Sequence, residues 1–257
     1  MMTTTLHDLP NAAADYIATH GWTQDTLRDE SGSVCLTGAL RACSPRTGDW
    51  LIAREVFRNQ DHAEDWNDEA DRIASEVMGY LRSHPITDAD LATTFGPQWQ
   101  QIVALIRRAA ILTSEEQQGL VAAVPAWRDA QLAVLLAAED SDRDAAWGAA
   151  GEAAQDAAQD SAEHGTWNAA WSPPKLAAGY VAQSAARALV VADLVGQYDL
   201  EQHHIEALLF PWQTVIADSA SHEVSTIATG TPAEAYGVPH EVVMRWANQP
   251  HAHPTTP

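Results

Sequence analysis

Positive charge is scarce in this sequence, which has 14 lysine and arginine residues against 35 aspartate and glutamate residues. The formal net charge is −21, and Lys175 is the only lysine. Such a chain repels nucleic-acid phosphates and anionic lipid rather than attracting them. We therefore expect no direct binding to nucleic acid, and we interpret the preference for arginine as the mark of a GC-rich coding sequence.

Long apolar runs are also missing. No stretch approaches the roughly 18 consecutive apolar residues of a membrane-spanning helix, and residues 1–10 lack the basic and apolar segments of a secretion signal. The two cysteines, Cys35 and Cys43, fall in one predicted helix at a separation of about 12 Å, which is too far for a disulfide. We expect a cytoplasmic protein without a membrane span, whose cysteines are not joined to each other.

Alanine is abundant, above all in residues 129–160, where it recurs in pairs separated by Asp, Gln, Glu or Trp. Alanine has the highest helix propensity, and its small side chain lets two helix backbones approach closely. No segment alternates apolar and polar residues over the length of a convincing strand. The sequence therefore predicts an all-α fold of many helices, and its 46% hydrophobic residues are sufficient for a real core.

The spacing of apolar residues predicts where the helices lie. Ser33 is the expected cap of the second helix, and Thr113 begins the cap of a later one. The expected helices cover residues 9–19, 34–42, 49–59, 68–83, 87–92, 98–112, 114 onward, the alanine-rich run 129–160, 176–194, 201–215 and, as a short one, 239–248.

Composition changes near His84-Pro85, and this change predicts a division of the chain. Residues 1–86 have ordinary mixed composition and are expected to form a small helical domain. Residues 87–216 are expected to form an alanine-rich helical bundle. Residues 217–257 are expected to form a short helix and a flexible tail rich in acidic, histidine and proline residues.

Two stretches of the N-terminal part resemble a known family. The stretch 32–40 reads Gly-Ser-Val-Cys-Leu-Thr-Gly-Ala-Leu, and Trp66-Asn67-Asp68 and Arg72 follow it. This pattern resembles the actinobacterial and phage proteins catalogued as domain of unknown function 6197, over about a third of the chain. The resemblance implies a class of protein but no chemistry. The C-terminal half, on residues 185–215, resembles alanine-, tryptophan- and aspartate-rich helical proteins of actinobacteria, to which we attach no activity.

Cys35 is the candidate nucleophile. A thiol in the first turn of a helix has its thiolate stabilised by backbone N–H groups and by the helix dipole. With His62 as base and Asn67 or Asp68 as orienting group, the chain order imitates a Cys-His-Asn arrangement. The alternative is that Cys35 is a small buried residue on a helix that packs through Gly38, because cysteine is among the residues most often buried.

The Trp66-Asn67-Asp68 motif has a structural interpretation, in which Trp66 anchors the core and Asn67 or Asp68 caps the following helix. The functional alternative makes Asp65, Asp68 and Asp71 a cation or substrate site. A calcium loop requires alternating oxygen donors and a turn glycine, and this segment has neither. We therefore expect no metal and no cofactor.

Three functions remain as hypotheses. The first, which we favour, is a non-enzymatic helical interaction or accessory protein that binds another protein, and its mark is an exposed apolar or tryptophan-rich patch. The second is a thiol-dependent enzyme that uses Cys35. The third is an acidic mimic of nucleic acid that binds a DNA-binding protein through the carboxylates of Glu139, Asp140, Asp142 and Asp144.

Overall fold

The structure is a computed structural model that describes residues 5–44, 46–61, 66–69, 71–122, 128–161 and 173–223. Within these ranges the regular elements are helices, with isolated bridges from Val34 to Trp22 and Arg28 in place of strands, so the all-α prediction is confirmed. The helices are α1 (Leu9–His20), α2 (Leu36–Cys43), α3 (Thr47–Asp61), α4 (Ala74–Ser83), α5 (Asp88–Phe95), α6 (Trp99–Ala109), α7 (Ser114–Ala122), α8 (Arg128–Asp140), α9 (Asp144–Asp160), α10 (Pro173–Val190), a 3-10 helix (Ala192–Leu194) and α11 (Gln202–Glu223).

Several helix ends differ from the predictions. The fourth helix begins at Ala74 rather than at Asp68, and α11 extends to Glu223. The N-terminal cap predicted at Thr113 is confirmed, because the Thr113 hydroxyl accepts a hydrogen bond from the Glu116 N–H at 3.2 Å. The Glu116 carboxylate in turn accepts one from the Thr113 N–H at 2.8 Å, so the cap is a reciprocal capping box. The helix predicted at 239–248 lies outside the described residues.

The alanine-rich run is divided into two helices by a sharp turn. Asp142 adopts a left-handed conformation with φ of 60°. The Arg143 N–H donates to the carbonyl of Ala138 at 2.8 Å, and the Asp142 N–H donates to that of Glu139 at 3.3 Å. These two bonds satisfy the last carbonyls of α8 and end it there.

The alanine faces of α9 and α10 form the centre of the molecule. This pair makes the most extensive helix–helix contact, and α9 also packs on α3, α5 and α6, whereas α10 packs on α6, α7 and α11. Alanine forms most of both faces, because only small side chains let the helices lie this close. The fully buried alanines of α9 and α10 are Ala150, Ala153, Ala154, Ala157, Ala158, Ala178, Ala182, Ala185, Ala186 and Ala188.

Buried side chains form one continuous cluster from Leu6 to Trp212. The N-terminal helices are therefore packed on the alanine-rich pair. The division into segments 1–86, 87–216 and 217–257 stays a prediction. None of the helices among the described residues is long and apolar enough to cross a membrane.

Close packing of α9 predicts a large effect of side-chain volume at Ala154. This residue is fully buried, so Ala154→Leu should lower the free energy of unfolding by about 1–3 kcal/mol because the close-packed interior around α9 has no room for the larger side chain. Ala145→Leu is the matched control, because Ala145 is exposed on the same helix and leucine and alanine have similar helix propensities. Urea denaturation of both variants measures the difference. Equal stability of the two would contradict close packing around α9.

Candidate functional site

Asn67 lies buried at the centre of the N-terminal region and joins segments that are distant in sequence. Its Oδ1 atom accepts hydrogen bonds from Trp22 Nε1 at 3.0 Å and from the backbone N–H of Leu36 at 3.3 Å. Its backbone carbonyl accepts a hydrogen bond from Gln24 Nε2 at 3.2 Å. Asn67 therefore holds the loop after α1 against the first turn of α2.

Asp68 completes this arrangement. Its Oδ1 atom accepts hydrogen bonds from Asn67 Nδ2 at 2.6 Å and from the backbone N–H of Asp25 at 3.1 Å. We call Trp22, Gln24, Asp25, Leu36, Asn67 and Asp68 the clamp.

The clamp corrects the prediction that Asn67 or Asp68 caps the following helix. That helix, α4, begins at Ala74, and the N–H of the preceding Ile73 donates to the carboxylate of Glu76 at 3.3 Å. Asn67 instead accepts from the first residue of α2, which lies 31 positions earlier in the chain. Asn67 therefore helps to cap α2, a helix that is distant in sequence, and does not cap the helix that follows it.

Trp66 is half-buried and packs at the edge of the core. Its ring centroid lies 4.8 Å from that of Tyr80 and 4.0 Å from the guanidinium carbon of Arg72. Arg72 Nε also donates to the Trp66 carbonyl at 3.2 Å. The aromatic and cation–π contacts hold the motif in place.

Cys35 is the N-cap residue of α2, which corrects the prediction that Ser33 caps this helix. The Cys35 Sγ atom accepts a hydrogen bond from the backbone N–H of Gly38 at 3.3 Å, and the residue is only 8% exposed. Within the described residues, Cys35 and Cys43 form no disulfide. The proposed base, His62, lies outside the described residues, so the Cys-His-Asn hypothesis stays a prediction.

Gly38 permits a close backbone contact between α2 and the loop before it. A Cβ atom at this position would lie 1.9 Å from the carbonyl oxygen of Leu27. The same loop is shaped by Asp29, whose Oδ1 atom accepts from the N–H groups of Ser31 and Ser33, each at 2.9 Å. The Ser31 hydroxyl also donates to Asp29, and these hydrogen bonds hold the pKa of that carboxyl below its usual value.

A charged network joins α3 to α9. Arg54 binds the carboxylates of Glu55 at 2.8 Å and Asp156 at 2.7 Å, and Arg58 binds Glu152. Glu55 is 2% exposed, and this burial raises the pKa of its carboxyl group. The positive charge of Arg54 acts in the opposite direction but is the smaller effect. Among the described residues no group of three or more histidine, cysteine or acidic side chains is arranged to hold a metal ion. The network is thus a contact between helices.

An open groove of about 270 Å³ lies between α8 and the loop 195–201. Its apolar part includes Leu132, Leu136 and Tyr198, which are 54%, 44% and 42% exposed. The complete lining is Asp129, Leu132, Ala133, Leu136, Asp140, Tyr198 and Asp199.

Sequence reasoning missed this groove. The signal on α8 was the spacing of Leu132 and Leu136, one helical turn apart and on a different face from the buried Ala130, Val134 and Ala137. The other wall comes from Tyr198, more than 60 positions later in the chain, and no local pattern connects the two.

The fold and the clamp define an all-α protein in which a buried asparagine ties the N-terminal helices together. The chain belongs to the family of unknown function DUF6197, whose model matches residues 1–131. The matched segment includes the complete clamp and extends beyond the third of the chain on which the resemblance was recognised. The alanine-rich pair and all of the groove except Asp129 lie after it. Comparisons with curated proteins and with solved structures found no match.

Proposed function

We propose that this protein is a non-enzymatic helical interaction protein that binds a protein partner through the groove of α8. The observation that carries the proposal is the grouping of Leu132, Leu136 and Tyr198, each more than 40% exposed, in one depression. Large apolar side chains that lie together at the surface are typical of interaction sites, whereas single ones are common everywhere. Aromatic residues in such depressions contribute much of the binding energy.

The backbone of the groove wall supports the same proposal. Tyr198 and Asp199 are consecutive non-glycine residues with φ of 52° and 55°. For a bulky residue this left-handed conformation is unfavourable, by about 1–3 kcal/mol, and such strain is concentrated at binding sites. The loop is held by hydrogen bonds from Gly196 N to Leu200 O and from Leu200 N to Gln197 O, both 2.8 Å.

Under this proposal Cys35 has a structural role. Its sulfur accepts a backbone hydrogen bond at the start of α2, and the residue does not line the groove. A capping interaction explains why a side chain with a lone-pair acceptor occupies this position. The proposal therefore requires no reaction at the thiol.

The experiment is a selection from a library of helix-forming peptides of unbiased charge against the full chain. We expect peptides whose binding is lost in the double variant Leu132→Ser, Leu136→Ser, because the apolar contact is removed. The matched control is Ile111→Ser, since Ile111 is also 44% exposed but does not line the groove. Cys35→Ser, which keeps a capping acceptor, should leave binding unchanged.

Two results would contradict the proposed function. The first is a selection in which no peptide depends on Leu132 or Leu136. The second is binding that Cys35→Ser abolishes while circular dichroism shows an intact fold. Either result would mean that the groove is not the binding site of this protein.

A further inference from the structure

We infer that the partner of the groove is a basic amphipathic helix, with two apolar residues between two cationic residues that lie three helical turns apart. This inference rests on the proposed function, because it names the chemistry of the partner that enters the same groove. It is carried by the charges on the rim and by their spacing along α8.

Three carboxylates surround the apolar part of the groove, those of Asp129, Asp140 and Asp199. Within the described part of the chain none of the three takes part in an ion pair. Many of the described arginines are used in internal ion pairs elsewhere, as between Arg143 and Asp193. The rim therefore presents negative charge that a cationic partner can neutralise.

The spacing along α8 determines the pattern of the partner. Asp129, Leu132, Leu136 and Asp140 recur after three, four and four residues, so they follow one face of the helix. The two aspartates lie about 17 Å apart along the axis, at 1.5 Å per residue. A helix packed along this face meets carboxylate, leucine, leucine and carboxylate in that order. Its own side chains should be basic, apolar, apolar and basic at the corresponding turns.

Two other occupants fit the charges poorly. A second copy of this chain in a symmetric dimer would place three carboxylates against three identical ones, and each copy has a net charge of −21. The chain's own residues 224–257 contain one arginine, Arg245, with Glu234 and Glu241. Neither supplies the positive charge that the rim requires.

The test uses a synthetic alanine- and glutamine-based helix. Its two arginines are about eleven positions apart, and its two leucines stand about four and seven positions after the first arginine, a pattern that is the same in either chain direction. Fluorescence anisotropy measures its binding to the full-length protein. We expect saturable binding that weakens about tenfold when salt is raised from about 0.1 M to 0.5 M, because salt screens the rim pairs. A peptide of identical composition, with its leucines moved to the opposite face, should bind at least about tenfold more weakly.

Charge variants of the protein distinguish the effect of the three rim carboxylates from the effect of the protein's overall negative charge. The triple variant Asp129→Asn, Asp140→Asn, Asp199→Asn should weaken binding by about tenfold, since several close pairs are lost. The control removes the same charge from three exposed carboxylates elsewhere, Glu30→Gln, Asp71→Asn and Glu115→Gln. The control should change the affinity by less than about twofold, because distant exposed charges are screened.

Tyr198→Gly distinguishes a binding role of Tyr198 from a purely structural one. Glycine adopts φ of 52° without strain, so the variant should unfold at the same temperature or a higher one. Binding of the peptide should nevertheless fall, because the ring that forms one wall is gone.

The inference is overturned if both peptides bind equally, or if the two charge triples weaken binding to the same extent. It is also overturned if sedimentation shows a dimer that Leu132→Ser and Leu136→Ser dissociate. Library peptides that depend on these leucines but carry no basic residues would overturn the basic partner and leave the proposed function standing. A library that yields no peptide whose binding depends on the groove would contradict both the basic partner and the proposed function.

Discussion

Gly38→Ala should lower the free energy of unfolding by at least about 3 kcal/mol, the largest effect that we expect from a single methyl group in this protein. The new Cβ atom would lie 1.9 Å from the carbonyl oxygen of Leu27 and 2.9 Å from its carbonyl carbon. Both are backbone atoms, which cannot rotate out of the way as a flexible side chain can. The loop must therefore move away from α2, and the bridge between Arg28 and Val34 is expected to break with it.

Gly79→Ala is the matched control for this variant. Gly79 is also inside a helix, and a Cβ atom there would meet nothing within 4 Å. The substitution should raise stability by about 0.5–1 kcal/mol, because alanine loses less conformational freedom than glycine in a helix. Urea denaturation monitored by circular dichroism measures both variants. A Gly38→Ala protein as stable as the wild type would show that α2 and the Leu27 loop do not touch.

Asn67→Ala should lower the free energy of unfolding by about 2–4 kcal/mol. The substitution removes the acceptor of Trp22 Nε1 and of the Leu36 N–H, both of which are turned inward at the clamp. Donors that lose their partner in a protein interior cost more than the bond itself contributes. Asn59→Ala, at an exposed position of α3, should change stability by less than about 0.5 kcal/mol. A similar loss in both variants would contradict a central role for Asn67.

The same site makes a pH-dependent prediction. Asn67→Asp keeps the acceptor oxygen but replaces the Nδ2 donor, which lies 2.6 Å from the Asp68 carboxylate, with a second negative charge. This repulsion is stronger in the folded state, which holds the two side chains at hydrogen-bond distance, than in the unfolded state, so the variant binds protons more tightly when it is folded. Its stability relative to the wild type should fall as pH rises from about 4 to 7 and should recover at low pH.

The exchanged pair Asn67→Asp, Asp68→Asn provides the rescue. It places an amide donor beside the new carboxylate and keeps an acceptor for the Asp25 N–H, so its stability should depend less on pH than that of the single variant. A rescue that fails at every pH would mean that the charge on Asp68, and not the donor–acceptor order, is what the clamp requires.

The clamp also explains why parts of the site could not be predicted. Capping preferences describe neighbours along the chain, so Asn67 was assigned to the helix after it. In the folded protein α4 begins at Ala74, and the amide instead serves Leu36. The second helix starts later than predicted because Val34 is engaged in bridges with Trp22 and Arg28, and this leaves Cys35 as the N-cap.

The sequence by itself determined the all-α class, the approximate helix positions and the close packing of the alanine-rich helices. These follow from propensity and from a period of about 3.6 residues, which are properties of the local chain. Only the tertiary structure decided the partners of Asn67, the contact of Gly38 with Leu27, and the groove that Leu132 and Leu136 share with Tyr198. Each of these joins residues that are distant in sequence, and their meeting depends on how all the helices pack together.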